Sequence, residues 1–239
     1  MSSPLNRIFA HSYASALTLN DKLVVKAIAD NGPFKTVLDV GCWDGKNSLL
    51  SMEAAHCKNR LGIELVESAA KEARKKGMEV AAIAADQDRW PWPDESIYCI
   101  TSNQVVEHLS NLDHFWSEAN RVLKPGGVVI TSTNNLASWH NIWALVFGWT
   151  PFDLTNASTK QSGLGNPLAV HKGETQSQGD SWTHKCIYTA RQLFEWQELY
   201  GLKREKLYTA GYYPLPASLG RALKTHAAFI ITVTRKSKK

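Results

Sequence analysis

Short apolar runs alternate with amphipathic segments along most of the chain, and this alternation predicts strands and helices in turn. Helical spacing is found in residues 46–56, 66–77, 112–127 and 189–201. Seven runs have the length and composition of strands: "TVLDVG", "RLGIEL", "MEVAAIAA", "SIYCITSN", "GVVITSTN", "LKREKLYTAG" and "HAAFIITVTR". Because continuous apolar strands that alternate with helices form parallel sheets covered on both faces, we predict an α/β fold with a doubly wound, mostly parallel, seven-stranded sheet.

Two segments stand outside this alternation. Residues 1–30 predict a helical lead-in that ends at the stop signal Asn31-Gly32-Pro33. The alternation breaks again at about residue 135 and resumes at about residue 187, a gap much longer than ordinary connections. Since this gap begins with the apolar, aromatic run "NLASWHNIWALVFGW", we predict an ordered insertion or lid, residues 135–186, within a single domain that spans residues 1–239.

The aromatic residues of this insertion allow three interpretations. Trp139, Trp143 and Phe147 lie at helical spacing, which favours packing into the core. A lid over a substrate, to which Trp149 and Phe152 would also belong, is the second interpretation. Contact with a membrane surface is the third, although basic residues on the same segment are few.

Composition narrows the class of protein. The 239 residues are 44% apolar and 21% charged, which is ordinary for a globular protein. The net charge of +5 is concentrated in the terminal residues 235–239, and a solvated terminus is a simpler explanation than a nucleic-acid site. The four cysteines are scattered without a C-x-x-C pair, which disfavours a zinc site and suits a reducing compartment. With no apolar run of ~20 residues and no secretory signal pattern, we expect a cytoplasmic protein without a transmembrane segment.

The turn after the first predicted strand, "LDVGCWDG", carries two carboxylates beside its glycines. The dinucleotide fingerprint G-x-G-x-x-G is not met, because Trp43 stands at the position of the middle glycine. Like charges ~4 Å apart repel by on the order of 4 kcal/mol near a protein surface, so Asp39 and Asp44 disfavour a pyrophosphate. S-adenosylmethionine fits better, since it has an ammonium and a sulfonium but no phosphate, and a carboxylate can accept the ammonium.

Polar residues at the ends of the next strands extend this site. Glu64 ends the second strand, where an acid can accept both ribose hydroxyls. Asp86 and Gln87 follow the third strand, where an adenine edge can be read, and Trp90 or Trp92 would supply apolar walls.

Five motifs in this order resemble those of the class I S-adenosylmethionine-dependent methyltransferases, in the small-molecule branch near the ubiquinone-biosynthesis and sugar-modifying enzymes. They are "LDVGCWDG", "GIEL", "AADQDRWPWPDESIYCI", "VVEHL" and "RVLKPGGVVITSTN", between about residues 36 and 134. The resemblance implies a Rossmann-like methyltransferase fold, S-adenosylmethionine as cofactor and S-adenosylhomocysteine as product. Trp43 is a departure, since the family usually has glycine there.

The resemblance also implies a role for each matching residue. The methionine part of the cofactor would be lined by Asp39, Gly41 and Gly45. Glu64 would bind the ribose. The adenine would lie against Asp86 and Gln87, and the sulfonium beside Asn103 and Gln104.

Two histidines are candidate catalytic bases. His108 follows the fourth strand, and His184 follows the insertion at a place where similar enzymes often have a histidine facing the acceptor. A histidine that holds local backbone is the alternative for His108, and a surface-loop histidine is the alternative for His184. In some related ubiquinone O-methyltransferases an E-x-x-E-H pattern binds a divalent metal. Here the first position is Gln104, a poorer ligand for a hard cation, so we expect no metal.

These features predict methyl transfer to a small molecule, at a hydroxyl of a sugar, lipid-linked glycan or other metabolite. A nucleic-acid methyltransferase and a non-catalytic S-adenosylmethionine-binding module are the alternatives. The chain has Ser102-Asn103-Gln104-Val105 where base-methylating relatives often carry N-P-P-Y or D-P-P-Y, which disfavours nucleic acid. Peripheral membrane contact stays open, and the oligomeric state is not predicted.

Overall fold

A seven-stranded sheet forms the centre of the protein in the computed structural model, which describes residues 4–175, 179–213 and 215–238. Its strands are β1 (Thr36–Val40), β2 (Asn59–Ile63), β3 (Glu79–Ala81), β4 (Ile97–Asn103), β5 (Leu123–Asn134), β6 (Leu202–Ala210) and β7 (Phe229–Lys236). Their order across the sheet is β3-β2-β1-β4-β5-β7-β6. Only β7 runs antiparallel to its neighbours, so the predicted mostly parallel sheet is confirmed.

Six α-helices accompany the strands in the described ranges. They are α1 (Pro4–Asn31), α2 (Lys46–Ala54), α3 (Glu67–Lys75), α4 (Leu112–Val122), α5 (Trp139–Val146) and α6 (Ala190–Leu199). Side chains cap two of them, because Asn111 accepts the amide of His114 and Thr189 accepts the amide of Gln192. None of these helices combines the length and the apolar character that a membrane crossing requires.

Two predicted boundaries differ from the structure. The third predicted strand, residues 78–85, is reduced to the three residues of β3. The helix predicted over residues 112–127 ends at Val122, and β5 begins at Leu123 and includes the Pro-Gly-Gly stop signal. Proline cannot continue a helix, so the chain has already left the helical conformation when it reaches Pro125.

The strand order reverses between β1 and β4, and this reversal creates the cleft. The chain moves outward from β1 to β2 and β3 and then crosses back to place β4 on the other side of β1. In the β1–β4 register, Val40 lies beside Ser102, so Gly41 and Asn103 follow at the same level of the sheet. Ligands of open α/β sheets bind outside the carboxyl ends of the strands at such a switch point.

The prediction that Trp90 or Trp92 walls an adenine site is wrong. Trp90 is only 1% exposed, its ring packs against Phe115 at 5.6 Å, and its indole Nε1 donates to the carbonyl of Ala85. Trp92 is buried in the same apolar cluster. Both indoles fill the core on the α4 face of the sheet because large aromatic side chains gain most from burial there.

Core packing is the wrong interpretation for two aromatic residues of the insertion. Trp143 is 55% exposed and Phe147 is 61% exposed, and their rings stack on each other at 6.2 Å. The helical spacing was therefore read correctly, but the face that carries these rings points to solvent. The opposite face of α5 buries Asn141 and Ala144.

These contrasting environments predict contrasting stabilities. Trp90→Ala should lower the free energy of unfolding by about 3–5 kcal/mol, because it leaves a cavity in the core. Trp143→Ala is the matched control and should lower it by less than about 1 kcal/mol. Denaturant unfolding of both variants checks this, and equal effects would contradict the assignment of Trp90 to the core.

Candidate active site

A cavity of about 1,370 Å³ lies outside the carboxyl ends of β1, β2 and β4. Its lining combines the turn after β1, the segments that follow β2, β3 and β4, the α1 helix and the insertion. Pockets for a single drug-sized ligand usually measure 300–1,000 Å³, so this cavity has room for a cofactor and a second molecule.

The turn after β1 requires glycine at its first position. Gly41 has φ of 76°, and a Cβ atom there would lie 2.4 Å from Cγ2 of Val105. Gly45, at the start of α2, also has positive φ. Trp43 keeps the left-handed conformation with φ of 47°, so the turn that glycine usually forms persists. Its indole instead meets the edge of Trp182, in the insertion, at a ring distance of 5.2 Å.

The Glu64 carboxylate holds this turn against the end of β2. Its Oε2 accepts the amide of Trp43 at 2.9 Å, and its Oε1 accepts the amide of Val66 at 2.9 Å. Glu64 is buried and lines the cavity. Each carboxylate oxygen has a second lone pair, so these bonds leave capacity for hydroxyl donors from a ligand.

The two aspartates of the turn have partners within the protein. Asp39 accepts the hydroxyl of Ser48 at 2.5 Å and the hydroxyl of Thr101 at 2.6 Å, one on each oxygen. Desolvation raises the pKa of Asp39 to about 6, although both hydroxyls act in the opposite direction. Asp44 is half-exposed and pairs with the ammonium of Lys76 at 2.6 Å. Neither carboxylate is therefore left without a donor.

The segment after β3 is fixed by Asp86. This buried carboxylate accepts the amides of Ser110 and Asn111 on Oδ2, at 2.7 and 3.2 Å, which ties the segment to the start of α4. Gln87 is exposed at the cavity wall. Apolar lining near these residues comes from Leu65, Ile83 and Leu109 rather than from the tryptophans.

The end of β4 is joined to α1 through Asn103. Its Nδ2 donates to Oδ1 of Asp21 at 3.0 Å, and its Oδ1 accepts Nδ2 of Asn20 at 3.0 Å. Gln104 follows in the left-handed conformation with φ of 57°, and its amide donates to the carbonyl of Ser132. Both residues line the cavity.

Glu107, His108 and His184 bring three acceptor atoms together on the other side of the cavity. One carboxylate oxygen and one ring nitrogen from each histidine lie within 4.8 Å of one another. Nδ1 of His108 donates to the carbonyl of Thr183 at 3.1 Å, and Nδ1 of His184 donates to the carbonyl of Asp153. Because a carbonyl only accepts, both neutral rings present an Nε2 lone pair.

Burial makes this cluster chemically unusual. Glu107 is fully buried; its Oε2 accepts the hydroxyl of Thr133, and its Oε1 has no hydrogen-bond partner among the residues that the structure describes. Burial raises the pKa of Glu107, while the neighbouring His184 acts in the opposite direction. Desolvation, together with the charge of His184, lowers the pKa of His108 to about 4. Such a cluster can hold a proton, and its donor atoms also suit a divalent cation.

Comparison with known proteins agrees with this geometry. Residues 38–131 match the family described as "Methyltransferase domain". These residues run from β1 into β5 and contain the turn, Glu64, Asp86 and the Glu107–His108 pair. Over residues 38–131, which are less than half of the chain, the protein is thus similar to the methyltransferase domain of the S-adenosylmethionine-dependent enzymes.

Relatives of this methyltransferase domain are found in bacteria. A probable S-adenosylmethionine-dependent methyltransferase of Mycolicibacterium smegmatis is 31% identical over 114 residues, which are 48% of this chain and 44% of the relative. A malonyl-[acyl-carrier protein] O-methyltransferase of Hamiltonella defensa is 31% identical over 132 residues, 54% of this chain and 50% of the relative. The chain thus spans about half the length of the curated relatives it matches.

Solved structures show the same fold over nearly the whole chain. An S-adenosylmethionine-dependent methyltransferase of Archaeoglobus fulgidus superimposes with a TM-score of 0.59 and 15% identity, covering 92% of this chain and 94% of that one. At this identity the likeness concerns the fold alone.

The cleft of the methyltransferase domain fits S-adenosylmethionine, the cofactor of its family. Carboxylates outnumber ammonium groups along the lining, which includes Asp21, Glu64 and Asp86 but few lysines. This charge suits a ligand with an ammonium and a sulfonium and disfavours a pyrophosphate. The bare Gly41 position allows backbone and ligand to approach closely.

Three residues of this site were not among the predicted catalytic or cofactor-binding residues. Glu107 was considered only as a metal ligand, and its burial was not visible from the sequence. Asp21 lies on a helix that precedes every motif. Asp153 lies in the irregular insertion; its burial would raise its pKa, but His140 at 3.0 Å and the amide of Asn141 hold the pKa below its usual value.

The low pKa of His108 predicts a dependence of stability on pH. Its pKa is lowered from 6.5 to about 4 on folding, so between these values the unfolded chain binds the proton more readily. His108 should therefore lower the free energy of unfolding by up to about 3 kcal/mol as the pH falls from 6.5 to 4.

Urea unfolding at several pH values checks this prediction. Wild type should lose more stability than His108→Asn between pH 6.5 and 4, whereas His11→Asn, at an exposed position, should follow wild type. Parallel curves for wild type and His108→Asn would show that folding does not hinder protonation of His108.

Proposed function

We propose that this protein transfers the methyl group of S-adenosylmethionine to a hydroxyl of a small molecule, such as a sugar, a lipid-linked glycan or another metabolite. The observation that carries the proposal is the cluster of Glu107, His108 and His184, which faces the same cavity as the turn after β1. A hydroxyl acceptor must lose its proton when its oxygen gains a methyl group, and this cluster has the atoms to receive that proton.

His184 is the proposed base. S-adenosylmethionine would supply an activated methyl group when bound. Nε2 of His184 would take the hydroxyl proton, because Nδ1–H is already committed to the carbonyl of Asp153. The carboxylate form of Glu107 would stabilise the imidazolium that results. Because its pKa is lowered to about 4, His108 is a weak base, and its neutral Nε2 would accept a hydrogen bond from the acceptor and hold it in place.

The insertion, residues 135–186, is the proposed lid of this site. It carries His184, and its residues Phe152 and Asp153 line the cavity. The Trp43–Trp182 contact connects it to the turn after β1. A lid in this position would exclude water and hold the acceptor against the base, which are common functions of mobile active-site segments.

The other activities have less support. Nucleic-acid methylation at base amino groups lacks its usual motif after β4, where the chain reads Ser102-Asn103-Gln104-Val105. A module that only binds the cofactor would not require a buried carboxylate and two histidine rings to lie within reach of one another in one cavity. A divalent cation at this cluster is the main alternative for its chemistry, and we retain a metal-free cluster because Gln104 stands where the E-x-x-E-H metal-binding pattern has its first acid.

Transfer of a radiolabelled methyl group to a cell extract tests the proposed function. After the extract is fractionated into nucleic acid, lipid, glycan and small-molecule pools, label should appear in the small-molecule, glycan or lipid-linked pool. His184→Asn should slow single-turnover transfer by about 10²- to 10⁴-fold with unchanged affinity for S-adenosylhomocysteine. His11→Asn, at an exposed histidine outside the cavity, is the matched control and should transfer at the wild-type rate.

The same assay separates the alternatives. Label in nucleic acid, or no transfer by a protein that binds the cofactor, would overturn the proposed acceptor or the proposed catalysis. Chelator-treated protein should keep its activity. Activity that disappears with chelator and returns with a divalent cation would show that the cluster of Glu107, His108 and His184 binds metal.

A further inference from the structure

The positive end of the proposed cofactor needs a carboxylate partner that the turn does not readily supply. Both oxygens of Asp39 accept short hydrogen bonds from hydroxyl groups, and desolvation weakens its charge by raising its pKa to about 6. Asp44 is neutralised by Lys76. Glu64 lies at the end of β2, on the side of β1 that is opposite β4. The methionine part would lie on the β4 side, where Asp39 already accepts two protein hydroxyls and carries a weakened charge.

Asp21 is a carboxylate on that side. It lies on α1, where Tyr13, Leu17 and Asp21 follow one another at intervals of four residues and all line the cavity. Residues four apart share one face of a helix, so α1 presents this stripe to the cleft. Asp21 is half-buried, its Oδ1 accepts Nδ2 of Asn103, and no hydrogen bond from the described residues reaches its Oδ2.

A chain of hydrogen bonds fixes this carboxylate in place. Ser132 donates its hydroxyl to Oδ1 of Asn20 at 2.7 Å, and Nδ2 of Asn20 donates to Oδ1 of Asn103. The Asn103 amide is thereby oriented with its NH₂ group toward Asp21. Since Asn103 follows Ser102, which lies beside Val40, the chain holds Asp21 at the level of Gly41.

We propose that Asp21 binds the ammonium of the cofactor's methionine part through its free Oδ2. This inference rests on the proposed function, because it assumes that the cavity holds S-adenosylmethionine. In this arrangement α1 contributes a residue to the cofactor site, and Asp39 stabilises the turn after β1. A fixed carboxylate binds an ammonium more tightly than a mobile one, because its side-chain entropy is already lost before the ligand arrives.

Calorimetric titration with three ligands tests this assignment. The ligands are S-adenosylhomocysteine, a deaminated analogue that keeps its carboxylate, and 5′-methylthioadenosine, which lacks the whole amino-acid end. Wild type should prefer S-adenosylhomocysteine over the deaminated analogue by about 10- to 100-fold, as expected for a charge-assisted hydrogen bond. Asp21→Asn keeps an oxygen for Asn103 but removes the charge, and its preference should fall below about 3-fold.

Two further variants make the comparison specific. Asp44→Asn, at the carboxylate already paired with Lys76, should keep the wild-type preference. Asp39→Asn should lower the affinity for all three ligands by a similar factor, because it disturbs the turn after β1 rather than the ammonium contact. Affinity for 5′-methylthioadenosine should be the same in wild type and Asp21→Asn, and thermal unfolding provides a second check that the variant is folded.

The outcomes separate this inference from the proposed function. If wild type does not bind S-adenosylhomocysteine, the proposed function fails. If wild type binds it and Asp21→Asn retains the full preference over the deaminated analogue, the assignment of Asp21 fails alone. Loss of the preference in Asp39→Asn but not in Asp21→Asn would place the ammonium on Asp39 instead.

Discussion

The carboxylate of Asp39 joins three elements at the point where the strand order reverses. It receives one hydroxyl from Thr101 in β4 and one from Ser48 in α2, and it belongs to β1 itself. Two short hydrogen bonds offset part of the desolvation of this carboxylate. The register that places Asn103 level with Gly41, and therefore the position of both sides of the cleft, depends on this junction.

The acidic residues near the cleft consequently have different roles. Asp39, Glu64 and Asp86 each accept donors of the protein and so fix the turn after β1, the end of β2 and the segment after β3. Glu107 is different, because one of its buried oxygens receives no donor from the described part of the chain. A buried polar atom without a partner is costly, and such a cost is most often found where a ligand or a reacting group completes the arrangement.

The sequence was sufficient for the sheet, the cleft and most of its lining, because strand periodicity and acids at strand ends are local signals. It was insufficient where tertiary contacts decide. Trp90 follows the adenine-side motif yet packs on Phe115, and Trp143 has core spacing yet faces solvent. Asp21 and Asp153 gain their positions from contacts with Asn103 and His140, which no local pattern encodes.

The acidic lining of this cleft suits a cationic cofactor without a phosphate. Parallel calorimetric titrations of the unmodified protein with S-adenosylhomocysteine and with NAD measure this directly. We expect saturable binding of S-adenosylhomocysteine with one site per chain and no detectable heat from NAD. Binding of NAD without binding of S-adenosylhomocysteine would contradict the account.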